Sequence, residues 1–84
     1  MLRIERMSEN GGIRLRLSGE LCSSELEEVQ KEIARVAPQI VLDLAEISLV
    51  DFCVVRWLVA IQTAGFRIEN SASYIREWMR QEEL

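Results

Sequence analysis

The most constraining feature of the chain is a nearly continuous apolar run over residues 40–44, followed after an acidic stretch by an apolar segment that begins at Phe52. Such a run is typical of a central strand covered on at least one face. Asp51, directly before the second segment, is a residue type that caps helices. The sequence therefore predicts a buried strand that leads through an acidic loop into an apolar helix.

The first third of the chain predicts a hairpin and a helix. Apolar and charged residues alternate on both sides of residues 10–12, Asn-Gly-Gly, which supply the positive-φ positions of a tight turn. We expect residues 17–21 to leave the sheet, and Ser24 with Glu27 to form the capping box of the first helix. Pro38 ends that helix. Its inward stripe is Leu26, Val29, Ile33 and Val36.

The second helix is predicted over residues 52–64, with an inward side and a second apolar side. The expected inward side consists of Val54, Trp57, Leu58, Ile61 and Ala64. Phe52, Val55 and Val59 fall on the other side, where a lone domain normally carries charge. This arrangement predicts an exposed apolar stripe.

A short strand and a last helix complete the chain. Gly65 is suited to the end of the second helix, and residues 66–69 predict a strand. Asn70 or Ser71 is expected to cap the last helix, which turns three apolar residues inward. These are Ala72, Ile75 and Met79.

The composition limits both size and partners. A chain of 84 residues holds one domain, residues 1–84, with a thin core. A net charge of −4 argues against nucleic-acid binding, which requires clustered basic residues. We interpret Arg3, Arg6, Arg14 and Arg16 as a solvated sheet face paired with acidic residues of the hairpin, in preference to an anion site.

The composition also predicts where the protein is located and the redox state of its two cysteines. No stretch approaches the roughly 20 apolar residues that span a bilayer, and no signal segment is evident, so we expect a cytoplasmic protein without membrane contact. Cys22 and Cys53 lie far apart and the chain has no His, which favours free thiols and no zinc site.

Catalysis is not expected. The chain has no His, one Lys and one Tyr, so the roles of base and nucleophile are hard to fill, and no Gly-rich phosphate loop is present.

Asp43, Glu46 and Asp51 are predicted near one strand end. We interpret Asp51 as a cap and Asp43 as an acceptor of backbone donors, in preference to a Mg²⁺ site. No cofactor or metal is expected.

The predicted order β-β-α-β-α-β-α, with Leu-Ser-Gly-Glu-Leu at residues 17–21 and Val-Leu-Asp-Leu at residues 41–44, resembles the STAS domains of bacterial anti-sigma factor antagonists. The tail over residues 68–78 is similar to the ending of small standalone STAS-like bacterial proteins. The resemblance implies an α/β fold with about four strands in a mixed sheet and helices packed mainly on one face.

In that family, a serine kinase that is also an anti-sigma factor binds the domain and phosphorylates a Ser or Thr, which breaks the complex. The family's loop reads Asp-Ser-Ser/Thr-Gly. By resemblance Asp51 matches the acid, Phe52 the first hydroxyl residue, Cys53 the phosphoacceptor and Val54 the glycine. Because a thiol replaces the phosphoacceptor hydroxyl, we expect a protein-binding regulatory module without the usual Ser phosphoswitch.

The expected partner is of the anti-sigma factor or serine-kinase type, by resemblance. Its contact residues are predicted to be Asp51, Phe52, Cys53, Val55, Arg56 and Val59. Two alternatives remain: a nucleotide-binding STAS module, and an unregulated structural homodimer that pairs through the second helix. Cys53 is either a redox-sensitive thiol favoured by the helix dipole or a small semi-buried apolar side chain.

Overall fold

The elements follow the predicted order in a computed structural model that describes residues 2–36 and 39–83. A 3-10 turn over Ser23–Glu25 precedes the first helix. The helices and strands are β1 (Leu2–Glu9), β2 (Gly12–Leu21), α1 (Leu26–Val36), β3 (Ile40–Val50), α2 (Phe52–Thr63), β4 (Arg67–Glu69) and α3 (Ser73–Glu82).

The four strands form one mixed sheet in the order β1-β2-β3-β4. β1 and β2 are antiparallel, whereas β2–β3 and β3–β4 are parallel. Asn10 (φ 34°) and Gly11 (φ 82°) make the hairpin turn, as the positive-φ requirement of a two-residue turn predicts. The small α/β fold with a four-stranded mixed sheet is therefore as expected.

The two faces of the sheet differ in chemistry. Leu15, Leu17, Leu42 and Leu44 are fully buried on one face, and the buried apolar residues of all three helices join them in one core. Because side chains alternate along a strand, the residues between these leucines lie on the opposite face. That face is charged: it carries Arg14, Arg16 and Asp43.

Both central strands are longer than predicted. Residues 17–21 do not leave the sheet but continue β2, and Leu21 pairs with Val50 at the far end of β3. The register between the two strands shifts twice. From Asp43 to Glu46 β3 advances by three residues while the paired part of β2 advances by only two, and a second shift of the same kind follows Gly19. These bulges let β3 stay paired through residues that lack a simple alternation. Only Asp51 therefore separates β3 from α2, in place of the predicted acidic loop.

Two helix starts differ from prediction. Before α1, the Glu25 carboxylate accepts the Cys22 N–H at 3.0 Å, so the capping interaction lies two residues earlier than the expected Ser24 and Glu27 pair. Ala72 occupies the cap position of α3. Asn70 adopts φ 62° instead, and its amide donates to Asp43. The prediction for Pro38 lies outside the described residues.

The stripe predictions are correct for α1 and α3 but only partly so for α2. Val29 and Ile33 are buried in α1, and Ile75 and Met79 in α3. In α2 the buried residues are Val54, Val55 and Leu58, whereas Trp57, Ile61 and Val59 are half-buried and Ala64 is exposed.

The predicted exposure of Val55 is wrong, because this side chain is completely buried. The inward side of α2 is centred between Val54, Val55 and Leu58, and not on Trp57. α3 contacts α2, and an ion pair between Arg56 and Glu82 at 4.0 Å places it beside this part of the helix. Packing of α3 therefore closes the side that the sequence pattern left open.

Candidate functional site

Asp51 ties the start of α2 to the turn before α1. Its Oδ1 accepts the Val54 N–H at 2.9 Å, as predicted for a helix cap. Its Oδ2 accepts the Ser23 N–H at 2.8 Å, a contact that the sequence did not predict. The N–H groups of Ser23 and Val54 hold the pKa of Asp51 below its usual value. One carboxylate therefore fixes two helical segments at the same end of the sheet.

Large apolar side chains are exposed at this end. Leu49, Phe52 and Tyr74 are 48%, 47% and 48% exposed, and they are the exposed large hydrophobic residues of the described chain. The Tyr74 hydroxyl donates to the Ser48 carbonyl at 3.2 Å, which places the first turn of α3 beside the end of β3. We call Leu49, Phe52 and Tyr74 the apolar end.

Arg56 supports the aromatic ring of the apolar end. Its guanidinium carbon lies 5.6 Å from the centroid of the Phe52 ring, within range of a cation–π contact. The Arg56 guanidinium also faces Glu82 of α3 at 4.0 Å. These two contacts place Arg56 between the exposed ring and the neighbouring helix.

The six predicted contact residues are divided by the structure. Phe52, Cys53 and Arg56 are exposed, whereas Asp51, whose carboxylate accepts two backbone hydrogen bonds, is half-buried. Val59 is half-buried against the core. Val55 has no exposed surface, so it has no direct contact to offer a partner in this conformation.

Two exposed residues of the apolar end, Leu49 and Tyr74, were absent from the sequence-based set. Leu49 was assigned to a loop, and it is exposed because the second bulge of β3 falls between Ile47 and Leu49. No signal in the sequence located that bulge. Tyr74 was assigned to the last helix, but its position beside Ser48 depends on a contact between distant segments.

The two cysteines have different surroundings. Cys53 is exposed in the first turn of α2, and Cys22 is half-buried before α1. Burial raises the pKa of the Cys22 thiol, and the nearby carboxylates of Asp51 and Glu25 raise it further. Cys22 therefore remains a protonated thiol at neutral pH, and Cys53 is the more accessible of the two.

A second group of charged residues lies on the opposite face of the sheet. The Arg14 guanidinium contacts Glu9 at 2.7 Å, Glu69 at 2.8 Å and Asp43 at 3.1 Å. Hydrogen bonds to Glu9 and Glu69 raise the pKa of Arg14. The predicted pairing with an acidic residue of the hairpin is present at Glu9. However, Arg14 is largely buried by its partners and does not belong to a solvated face.

Asp43 is the buried acidic residue of this group, at 1% exposure. Burial alone would raise its pKa, but hydrogen bonds from the Ala45 N–H, the Asn70 amide and Arg14 outweigh burial and lower the pKa. The distances are 2.9 Å for Ala45 and 3.1 Å for Asn70. Asp43 therefore has the backbone donor that the sequence interpretation required, together with side-chain donors from β2 and the chain after β4.

The predicted proximity of Asp43, Glu46 and Asp51 is wrong. All the residues between Asp43 and Asp51 belong to β3, which separates them by about 25 Å at the rise of an extended strand. Over residues 2–36 and 39–83, no three His, Cys, Asp or Glu side chains gather as a metal site would require.

Comparison of the chain with protein-family models and with curated proteins finds no match. The family resemblance of the sequence therefore stays a prediction. Among the described residues, none of the helices has the length and apolar character needed to cross a membrane.

Proposed function

We propose that the chain is a protein-binding regulatory module of the STAS type that binds a partner through the apolar end. The observation that carries this proposal is the position of Leu49, Phe52 and Tyr74 at one end of the molecule. By resemblance, the partner is an anti-sigma factor or a serine kinase of that type. The proposed role involves no chemical turnover.

The composition of the apolar end supports a protein partner. Two of its three side chains are aromatic, and aromatic residues are enriched among the side chains that dominate binding energy. Covering their exposed surface would gain about 25 cal/mol per Å² of apolar area. Glu20, opposite Leu49 in the β2–β3 register, and Glu46 are exposed and would form part of a polar rim.

The rigidity of the site favours binding as well. Asp51 fixes the first turn of α2, the Arg56 guanidinium lies over the Phe52 ring, and Tyr74 is hydrogen-bonded to β3. Side chains that are already ordered lose less conformational entropy when a partner binds. The apolar end therefore offers a surface that is largely preorganised.

The position that matches the family's phosphoacceptor is Cys53, which is exposed and carries a thiol. A serine kinase transfers phosphate to a hydroxyl, and Phe52 and Val54 replace small residues on either side. We therefore propose binding that is not released by the usual phosphorylation. Phosphate on the Cys53 peptide after incubation with an anti-sigma-type serine kinase, detected by mass spectrometry, would refute this part of the proposal.

The homodimer through α2 is not retained as a second candidate. It was motivated by an exposed stripe of Phe52, Val55 and Val59, but Val55 is buried and Val59 is half-buried. What remains exposed near the start of α2 belongs to the apolar end. No observation in the described residues favours nucleotide binding over protein binding.

Calorimetric titration tests the proposal directly. The titrant is a bacterial serine kinase of the anti-sigma factor type, and the samples are the wild type, Phe52→Ala and Thr63→Ala. Thr63 is an exposed residue on the same side of α2 at its opposite end, so it is the matched control. We expect Phe52→Ala to weaken binding by tenfold or more, roughly the effect of losing a central aromatic contact. Equal affinity for both variants, or no binding by the wild type, would contradict the proposal.

A further inference from the structure

β1 is an edge strand with a long regular outer side. It pairs with β2 along all eight of its residues, without a register shift, and it is the first strand in the order of the sheet. Among the described residues no strand pairs with its other side. A strand of this kind presents a row of free N–H and C=O groups to another chain. The described part of β1 contains no proline or bulge that would prevent such pairing.

The direction of the backbone groups of β1 follows from its neighbour. The Ile13 N–H donates to the Gln39 carbonyl at 2.8 Å, on the β3 side of β2. Alternate residues of β2 therefore direct their groups to β1, beginning with Gly12, which pairs with Glu9. The residues of β1 with outward N–H and C=O groups are the remaining ones: Leu2, Ile4, Arg6 and Ser8.

Charge decides between the possible pairings of β1 with a second copy of itself. A two-fold axis perpendicular to the sheet makes the strands antiparallel and can pass through Ile4, Glu5 or Arg6. An axis at Glu5 places the Glu5 carboxylates of the two copies opposite each other. An axis at Arg6 places the two Arg6 guanidinium groups opposite each other. Like charges directly opposite destabilise a strand pair. An axis at Ile4 instead places Arg3 of each copy opposite Glu5 of the other.

We propose that β1 binds β1 of a second copy of this chain with Ile4 at the two-fold axis, which joins the two sheets into one. In this register the outward backbone N–H and C=O groups of Ile4 form hydrogen bonds with those of Ile4 in the second copy. On both sides of the axis, the outward groups of Leu2 form hydrogen bonds with those of Arg6 in the other copy. Arg3 and Glu5 then occupy the non-hydrogen-bonded positions, where the Cα atoms of opposite residues approach to about 4.5 Å and side chains are close.

The side chains of the free edge are suited to this pairing. Arg3 and Glu5 lie on the same face and contact each other at 3.7 Å, with 76% and 43% of their side chains exposed. An ion pair so exposed contributes little, so each group is free to take an opposite charge on a second copy. Leu2 and Ile4 are half-buried at the margin of the core, and pairing would cover more of their surface.

Charge reversal provides a sharp test by sedimentation equilibrium over a wide range of protein concentration. We expect a reversible wild-type dimer whose dissociation constant rises about tenfold in Arg3→Glu and in Glu5→Arg, because each variant places like charges opposite each other twice. The double variant R3E/E5R restores both attractions and should dimerise as the wild type does. Circular dichroism and thermal unfolding verify that every variant is folded.

The two single variants also test the register when mixed. Arg3→Glu carries two acidic groups at these positions and Glu5→Arg carries two basic ones, so the mixture should form a heterodimer although each variant alone is mainly monomeric. A wild type that stays monomeric at every concentration would overturn the proposal. So would a wild-type dimer that Phe52→Glu abolishes and the charge reversals leave unchanged. A wild type that stays monomeric leaves the proposed partner binding unaffected, because β1 contains no residue of the apolar end. Loss of the dimer in Phe52→Glu would instead assign the apolar end to self-association.

Discussion

The Asp51 carboxylate accepts the backbone N–H of Ser23 at 2.8 Å while its other oxygen caps α2 at Val54. Ser23 opens the 3-10 turn that leads into α1, so α1 and α2, which both begin at this end of the sheet, share one acceptor. Each of these N–H groups lies in a first helical turn, where it has no partner inside the helix. The apolar end therefore depends on Asp51 although that side chain is itself only half-exposed.

Removal of the shared acceptor should destabilise the domain. Asp51→Ala leaves two helix-start N–H groups without their partner, and we expect the free energy of unfolding to fall by about 2 kcal/mol. Asp51→Asn keeps one carbonyl oxygen and should cost about half as much. Urea unfolding followed by circular dichroism gives both values, with Thr63→Ala as a surface control that changes stability little. A loss in Asp51→Ala no larger than in the control would show that the carboxylate is not a structural cap.

The same carboxylate predicts how stability depends on pH. The pKa values of Asp43 and Asp51 are lower in the folded chain than in the unfolded one, where the pKa of an Asp is about 3.9. As the pH falls below that value, the unfolded state binds these protons first, and the stabilisation is lost down to the folded pKa. We expect unfolding free energy to be nearly constant above about pH 5 with respect to these groups.

Urea unfolding of the wild type and Asp51→Asn as a function of pH checks this expectation. The stability difference between them should be largest near neutral pH and should shrink below about pH 4, as Asp51 loses its charge in the wild type. A difference that stays constant down to acidic pH would mean that the charge of Asp51 contributes nothing.

Local patterns predicted the elements whose residues follow one period. Apolar and charged residues alternate on both sides of the hairpin turn, and α1 repeats its apolar residues at helical spacing, so both were correct in type, although β2 continues through residues 17–21. The predicted β3 was too short because the buried residues after Leu44 are Ile47 and Val50. This spacing of three residues is neither a strand nor a helix period. That spacing results from bulges, and bulges depend on pairing with β2.

The site was predictable only where its contacts are local. Asp51 capping Val54 involves residues three apart and follows from residue type. The bond from Ser23 and the contact of Tyr74 with Ser48 join segments more than twenty residues apart, and no spacing rule reports them. Val55 was misplaced for a related reason, because the docking of α3 decides which side of α2 is covered.

The charged face offers a second test of stability. Asp43→Ala removes a buried carboxylate that accepts hydrogen bonds from Ala45, Asn70 and Arg14. Those donors then lack this acceptor. We expect a loss of about 3 kcal/mol, comparable to breaking a buried ion pair. Asp43→Asn keeps the acceptor for the Ala45 N–H and should lose less. Thermal and urea unfolding measure both, and a loss below about 0.5 kcal/mol in Asp43→Ala, typical of surface substitutions, would contradict a structural role.

The last prediction separates the two sides of α2. Val55→Ala should lower the free energy of unfolding by about 2 kcal/mol, because it leaves a cavity in the core. Val55→Glu should prevent folding, since it would bury an unpaired charge. Phe52→Glu, which changes an exposed ring, should leave the unfolding midpoint nearly unchanged while it abolishes partner binding. If instead Val55→Glu folded as well as Phe52→Glu, the inward side of α2 would have to be centred on Trp57, and Val55 would regain a place among the residues that contact a partner.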